Sequence, residues 1–250
     1  MHTATQIQMT HPVHHAVEMV VQQPDYVIVQ LGAYIGNTAN DPLYGRFSGT
    51  GRAILVEPDP RHFNTLQYNY GRNSQVTCLN LAIAGQNGVA PFYYLDATPA
   101  EHGYPDWLSQ MGSLSPDRFT TLWDRYEGTV LDSNPDVLRG MEKCRHFCMA
   151  HTVSSLVECI TLEELMLRCD IDHIDLLQID IEGLEMNILR SIDFDRVPIR
   201  FINYESALME KDRPDLELMD RWGYKIVDYG QDTLCYRSTD HAQISKLWET

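Results

Sequence analysis

The order of apolar and polar positions divides the chain into alternating helical and extended stretches. Val13, Ala16, Val17, Val20 and Val21 recur at helical spacing and Pro24 closes the stretch, so residues 11–23 are expected to form an amphipathic helix on a core. The mostly apolar run from Tyr26 to Leu31 shows no alternation, as expected of a strand buried on both faces of a parallel sheet. Ala53–Val56 and Val76–Ala82 predict two more such strands, on either side of a helical segment at 60–70, and residues 88–95 predict an extra strand. The rhythm resumes at Thr161, where Thr161 and Glu164 fit a capping box that opens a helix running to about Cys169. There follow a strand over 174–181, a helix carrying Leu184, Ile188 and Leu189, and a strand over 199–204 that ends on Glu205. A helix over 214–222 and a hairpin of 225–228 and 233–237 around Gly230 complete the chain. Strand–helix alternation at this spacing is the pattern of an α/β, doubly wound sheet.

Residues 96–150 break the rhythm. They are rich in Pro, Gly and Ser and hold Tyr104, Trp107, Trp123 and Tyr126 without a sustained period. They are expected to be an insertion with short helices lying over one end of the sheet, a lid on the acceptor site. The expected organisation is one domain over 1–250, with the N-terminal helix in 1–23 and this insertion. With 19 basic and 35 acidic residues the net charge is −16, which repels phosphate backbones and argues against DNA or RNA as substrate. No apolar run is long enough for a bilayer, and the first residues lack the blocks of a signal peptide, so a cytoplasmic enzyme is expected. The six cysteines (Cys78, Cys144, Cys148, Cys159, Cys169 and Cys235) are dilute and irregular, as expected of reduced thiols. His11, His14 and His15 are expected on the exposed side of the first helix.

The first strand-to-helix turn carries the first chemical signal. A glycine there lets a ligand approach the backbone. In the dinucleotide pattern G-x-G-x-x-G starting at Gly32, Tyr34 and Asn37 stand where the second and third glycines belong. Tyr34 obstructs a pyrophosphate, which disfavours NAD and FAD and the nicotinamide oxidoreductases. A ligand without a pyrophosphate, such as S-adenosylmethionine, needs only Gly32 and Gly36 small. Glu57, at the end of the second strand, stands where an acidic residue accepts hydrogen bonds from ribose hydroxyls. Asp180 and Glu182 close the fourth strand, on one face if the strand persists that far, and Glu205 ends the fifth nearby. Such carboxylates orient an ammonium group, bind a cation or accept a proton; alternatively Glu182 and Glu185 merely favour the next helix N-terminus. Cys144, His146, Cys148 and His151 are four potential zinc ligands, but all four within eight residues demand a sharply folded backbone, and no metal site is assigned there. His146 or His151 is expected near the pocket.

The segments LGAYIG, LVEPDP, NLAIAG, TLEEL and IDLLQIDIEGLEMNIL together resemble the FkbM family of S-adenosylmethionine-dependent methyltransferases. The resemblance spans roughly residues 26–95 and 156–206, and its most specific piece is Asp175–Leu189. It implies a Rossmann-like, class I methyltransferase sheet of about seven strands and methyl transfer, usually to a hydroxyl of a small molecule or sugar. It implies that Gly32, Gly36 and Glu57 lie at the cofactor, and the full expected cofactor set is Gln30, Gly32, Ala33, Gly36, Glu57, Ala82 and Asp180. The chain departs from the family at Gln30 (commonly Asp), Tyr34 (commonly Asn) and Gln178 (commonly Lys), and Pro42 interrupts the helix expected after the glycine turn. The expected function is O-methylation of a small-molecule acceptor such as a sugar or polyketide-type product, with S-adenosylmethionine as cofactor. Asp180, Glu182, Glu205 and His151 are the candidates for the base, and a divalent ion on Asp180 and Glu205 is an alternative way to activate a hydroxyl. N-methylation, and a nucleoside-binding module without turnover, are the rival readings.

Overall fold

Ten strands and seven α-helices build the computed structural model, which describes residues 11–38, 41–47, 49–120, 135–207 and 212–244. The strands are β1 (Val27–Leu31), β2 (Arg52–Val56), β3 (Val76–Leu79), β4 (Ala82–Ile83), β5 (Gly88–Leu95), β6 (Thr152–Ile160), β7 (Ile174–Ile179), β8 (Ile199–Glu205), β9 (Tyr224–Tyr229) and β10 (Asp232–Arg237). The helices are α1 (Pro12–Val21), α2 (Pro60–Tyr70), α3 (Pro135–His151), α4 (Leu162–Cys169), α5 (Glu185–Ser191), α6 (Pro214–Arg221) and α7 (His241–Ile244).

Seven strands form one sheet in the order β3-β2-β1-β7-β8-β10-β9. All the pairings from β3 to β8 are parallel, and β10 runs antiparallel to both β8 and β9. The apolar runs explain why. Every residue of β1 and β7 is buried, because helices cover both faces. Val27, Val29 and Leu31 face a core shared with α4, α5 and α6, while Ile28, Leu176 and Phe201 pack on the other face beneath Val13, Ala16, Val17 and Val20 of α1. This is the doubly wound α/β sheet. No helix among the described residues is long and apolar enough to cross a membrane.

Four expectations need correction. The strand expected over Val76–Ala82 is two strands in two sheets. Asn80 donates its side-chain amide to the carbonyls of Glu57 and Pro58, and the chain leaves the main sheet there. β4 then joins a second sheet, ordered β4-β6-β5. The insertion holds more regular structure than expected: two short 3-10 turns at Pro99–His102 and Asp106–Gln110, then the 17-residue α3. β6 was not foreseen, because outward Leu156 is exposed and blurs its alternation with buried Val157 and Cys159. The capping box is half formed. Thr161 accepts from the Glu164 N–H at 3.2 Å, but the Glu164 carboxylate turns to Arg168 and the Thr161 N–H goes to Asn87. Trp123 and Tyr126 lie outside the described residues. Between β1 and β2 the described residues form turns, not a helix, as Pro42 requires.

Candidate functional site

A cavity of about 340 Å³ opens at the carboxyl ends of β1, β2 and β7. This is within the usual range for a small-molecule site, and it is the crevice where open α/β sheets bind ligands. Its walls are the bend after β1, the segment Glu57–Asp59, Ala82–Gly85, and Gln178 with Asp180–Glu182. Gln110, Gly112, Ser113 and Leu114 of the insertion close one side.

The bend after β1 is fixed by backbone bonds. Gly32 and Ala33 both donate to the Val56 carbonyl at 3.0 Å, and Asp180 donates to Leu31 at 3.0 Å. Gly32 has φ +78°, and a Cβ built there would sit 1.7 Å from the Asp180 carbonyl oxygen. Only glycine fits between the ends of β1 and β7. Gly36 is small for another reason: a Cβ there would meet Leu66 and Tyr70 of α2 at 2.6 Å. Gly36 therefore packs the bend onto α2 and is not among the residues lining the cavity.

Tyr34, with φ +49°, turns its backbone N–H onto Glu57 Oε2 at 2.8 Å. Asp59 donates its N–H to Glu57 Oε1, also at 2.8 Å. Two amides thus orient the Glu57 carboxylate on the cavity wall, and each oxygen keeps a lone pair for a ligand hydroxyl. Burial nevertheless pushes this carboxyl up to about 8, against the pull of the two N–H bonds. A folded value above the unfolded 4.5 means that its contribution to stability is complete below pH 4.5 and lost as pH rises through about 8. Stability of the ligand-free protein relative to Glu57→Gln, which cannot ionise, is therefore expected to fall between about pH 5 and pH 8 and to level off above. Chemical denaturation across that range checks this. Parallel pH profiles for the two proteins would contradict it.

Tyr34 stacks edge-on against His62 with ring centroids 4.4 Å apart and reaches Ser109 Oγ of the insertion through its hydroxyl at 3.0 Å. The side chain that obstructs a pyrophosphate is therefore a strut between the bend and the insertion. A second strut joins Arg118 to Glu182 as an ion pair.

That pair corrects the expectation for Glu182. β7 ends at Ile179, and Glu182 and Gly183 both have positive φ, so the alternation that would put Asp180 and Glu182 on one strand face does not extend that far. Glu182 lines the cavity, but its carboxylate is committed to Arg118. His151 is not brought to the cavity: it ends α3, bonds Asp96 at 3.1 Å and packs its ring on Phe147. Cys144, His146, Cys148 and His151 are all part of α3: Cys144, Cys148 and His151 share one face at i, i+4 and i+7, where both cysteines join a small apolar cluster, while His146 points away and bonds the Glu142 carbonyl.

Asp180 and Glu205 do come together, and Glu185 joins them. One carboxylate oxygen from each lies within 4.8 Å of the others. Glu185 is held by the N–H groups of Ile181 and Gly183, which folds the turn after β7 around it. Asp180 is exposed toward the cavity, yet the enclosing walls and the negative charges of Glu185, Asp232 and Asp41 push its carboxyl up to about 7. Burial, with Asp180 and Glu185 beside it, pushes Glu205 up to about 8. Gln30 lines the cavity at 5% exposure, and its Oε1 has no partner among the described residues. Gln178 Oε1 accepts from Asn203, whose own oxygen accepts from the Tyr229 hydroxyl. Sequence reasoning missed Asp41, in the turns between β1 and β2, His62, in the first turn of α2, and Asp232, the first residue of β10; no periodic signal marks them.

A glycine-tight bend, an oriented carboxylate at the end of the second strand and Asp180 after β7 line one crevice at the strand ends of a Rossmann-like class I fold. Residues 30–226 match the methyltransferase FkbM domain, and the chain belongs to the FkbM methyltransferase family. That family is one of methyltransferases that use S-adenosylmethionine. Among solved structures it is similar to the methyltransferase FkbM of Methylobacillus flagellatus KT (15% identity, TM-score 0.45, covering 85% of this chain and 43% of that one). The chain therefore spans less than half the length of that protein. It is also similar to the precorrin-6y C5,15-methyltransferase of Geobacter metallireducens GS-15 (12% identity, TM-score 0.40, 95% and 94% coverage). A third is the fibrillarin of Aeropyrum pernix, solved with natively bound S-adenosyl-L-methionine (13% identity, TM-score 0.39, 89% and 72% coverage). No curated protein matches the chain.

Proposed function

We propose that this protein transfers a methyl group from S-adenosylmethionine to a hydroxyl of a small-molecule acceptor such as a sugar or polyketide-type product. The observation that carries the reading is the pairing, in one cavity, of the oriented Glu57 carboxylate with Asp180, whose carboxyl has Glu205 within 4.8 Å and, like it, an affinity for protons raised to near neutrality. The donor set fits the cofactor. Glu57 accepts from the ribose hydroxyls, Gly32 and Ala33 let the nucleoside lie on the backbone, and Ala82 offers a small apolar wall. Gln30 Oε1, buried and without a donor, suits the ammonium group. When bound, the cofactor supplies an electrophilic methyl group on a sulfonium.

The chain's own residues do the rest. The bend and Glu57 hold the cofactor, and the insertion's Gln110–Leu114 side keeps water out and shapes the acceptor site. Asp180 and Glu205 take the proton that the acceptor hydroxyl gives up, a role worth roughly 10²–10⁴-fold in rate. An amine acceptor needs no such base once unprotonated, which is why the paired carboxyls favour oxygen over nitrogen. The net charge of −16 speaks against a nucleic-acid acceptor. The six free cysteines suit a reducing, cytoplasmic setting.

Incubation with labelled S-adenosylmethionine and matched panels of hydroxyl and amine acceptors, read by mass spectrometry, tests this. Methyl ethers should form, and Asp180→Asn should lower kcat by at least about tenfold. Products methylated only at nitrogen would overturn the reading, as would cofactor binding without any turnover.

A further inference from the structure

Asp41 stands on the cavity wall in a turn that its own side chain closes. Its N–H donates to the Thr38 carbonyl at 3.1 Å, and its Oδ1 accepts from the Leu43 N–H at 2.8 Å across Pro42. An aspartate that accepts from the N–H two residues on forms an Asx turn, and Pro42, with a fixed φ and no N–H to place, suits its middle. Leu43 is 1% exposed and sits with Ile28 in the core under α1. The turn is thus anchored on the sheet face that also carries Gln30, two residues along β1 from Ile28. Gln30, 5% exposed, donates its side-chain amide to the Asp41 carboxylate. The partners of that carboxylate are therefore an N–H and a neutral amide. Among the described residues no basic side chain pairs with it, and burial pushes its carboxyl above the usual range.

We propose that Asp41, braced by Gln30, binds the α-ammonium group of S-adenosylmethionine. This rests on the methyl-transfer reading and adds to it the charged partner that Gln30, being neutral, cannot be. Strand order supports the placement. With the ribose on Glu57 after β2, the sulfonium side chain runs over β1, the next strand, roughly 4.8 Å away. Gln30 stands on β1 opposite Leu55 of β2, and Asp41 is bonded to it. An ammonium donates up to three N–H bonds and seeks oxygens that no other donor has filled. Gln30 Oε1 has no donor among the described residues, and the Asp41 carboxylate has lone pairs beyond those given to Leu43 and Gln30. Two other carboxylates of the wall are already matched by cations, Asp59 by Arg61 and Glu182 by Arg118. Asp41 and Asp180 are not, and the charge of each bears on the cavity they share. A positive ligand group relieves both, and the bond from Gln30 makes Asp41 the one beside the cofactor's side chain.

Calorimetric titration of the full chain with S-adenosylhomocysteine and with its deamino analogue tests this. The analogue keeps the nucleoside, the thioether and the carboxylate and lacks only the amine. Wild type should bind S-adenosylhomocysteine at least about tenfold more tightly than the analogue, as a hydrogen-bonded charge warrants. Asp41→Asn should weaken S-adenosylhomocysteine by at least about tenfold and leave the analogue within about threefold, so that the preference for the amine is lost. Glu57→Ala should weaken both ligands alike, since both carry the ribose. Asparagine keeps an oxygen for the Leu43 N–H, so the turn and the melting temperature should hold, and circular dichroism verifies the fold. Equal weakening of both ligands by Asp41→Asn overturns the proposal, because the residue then only shapes the turn. A wild-type chain that binds the two ligands equally overturns it without any variant and leaves the cofactor reading standing. A wild-type chain that takes up neither ligand removes the cofactor reading, and the role of Asp41 with it.

Discussion

Glu57→Ala is expected to weaken S-adenosylmethionine binding by about 100-fold or more. In its ionised form the carboxylate offers charge-assisted acceptors to a ribose, each worth roughly 1.5–3 kcal/mol. Its removal also frees the Tyr34 and Asp59 N–H groups, which now end on Glu57 at 2.8 Å. The bend after β1 then loses one of its ties to the end of β2, keeping those from Gly32 and Ala33 to the Val56 carbonyl. Calorimetric titration of both proteins checks the effect, with circular dichroism to show that the variant stays folded. Affinity within about threefold of wild type would mean that the ribose lies elsewhere.

Gly32→Ala should have the largest effect on the fold itself. The new methyl carbon meets the Asp180 carbonyl oxygen at 1.7 Å and its carbon at 2.8 Å, and φ is +78°. The obstacle is backbone, so no side chain can turn away. Relief requires β1 and β7 to part, and these are central, fully buried strands. The expected cost is ~4 kcal/mol or more, beyond the ordinary penalty for positive φ. For a chain of this size that lowers Tm by roughly 10 °C, with cofactor binding lost as the bend opens. A thermal melt within about 2 °C of wild type would contradict the close approach.

The central sheet was legible because burial on both faces writes an unbroken apolar run, and strands of that kind occur in parallel sheets. Tyr26–Leu31, Ala53–Val56 and Ile174–Ile179 carry that mark. β6 does not. It belongs to a small sheet with one open face, where Leu156 is exposed and spoils the alternation. α3 was hidden by Gly140 and by polar residues spread around its axis. At the candidate site the sequence marks positions at strand ends, since those follow from register: Glu57, Asp180 and Glu205 all stand there. It does not mark what comes from across the fold. Arg118 reaches Glu182 over 64 positions of chain, and Tyr34 reaches Ser109 over 75. Such pairs leave no local period. His151 misled for the converse reason: a histidine near other ligand types in the sequence was carried by a regular helix to Asp96, outside the cavity.

A crystal structure with the demethylated cofactor, S-adenosylhomocysteine, puts the account to its most direct test. The ribose hydroxyls should lie within hydrogen-bond distance of the Glu57 carboxylate, the nucleoside should rest on Gly32 and Ala33, and the sulfur should face the part of the cavity that holds Asp180. A ligand seated away from the bend, or a ribose that makes no contact with Glu57, would contradict it.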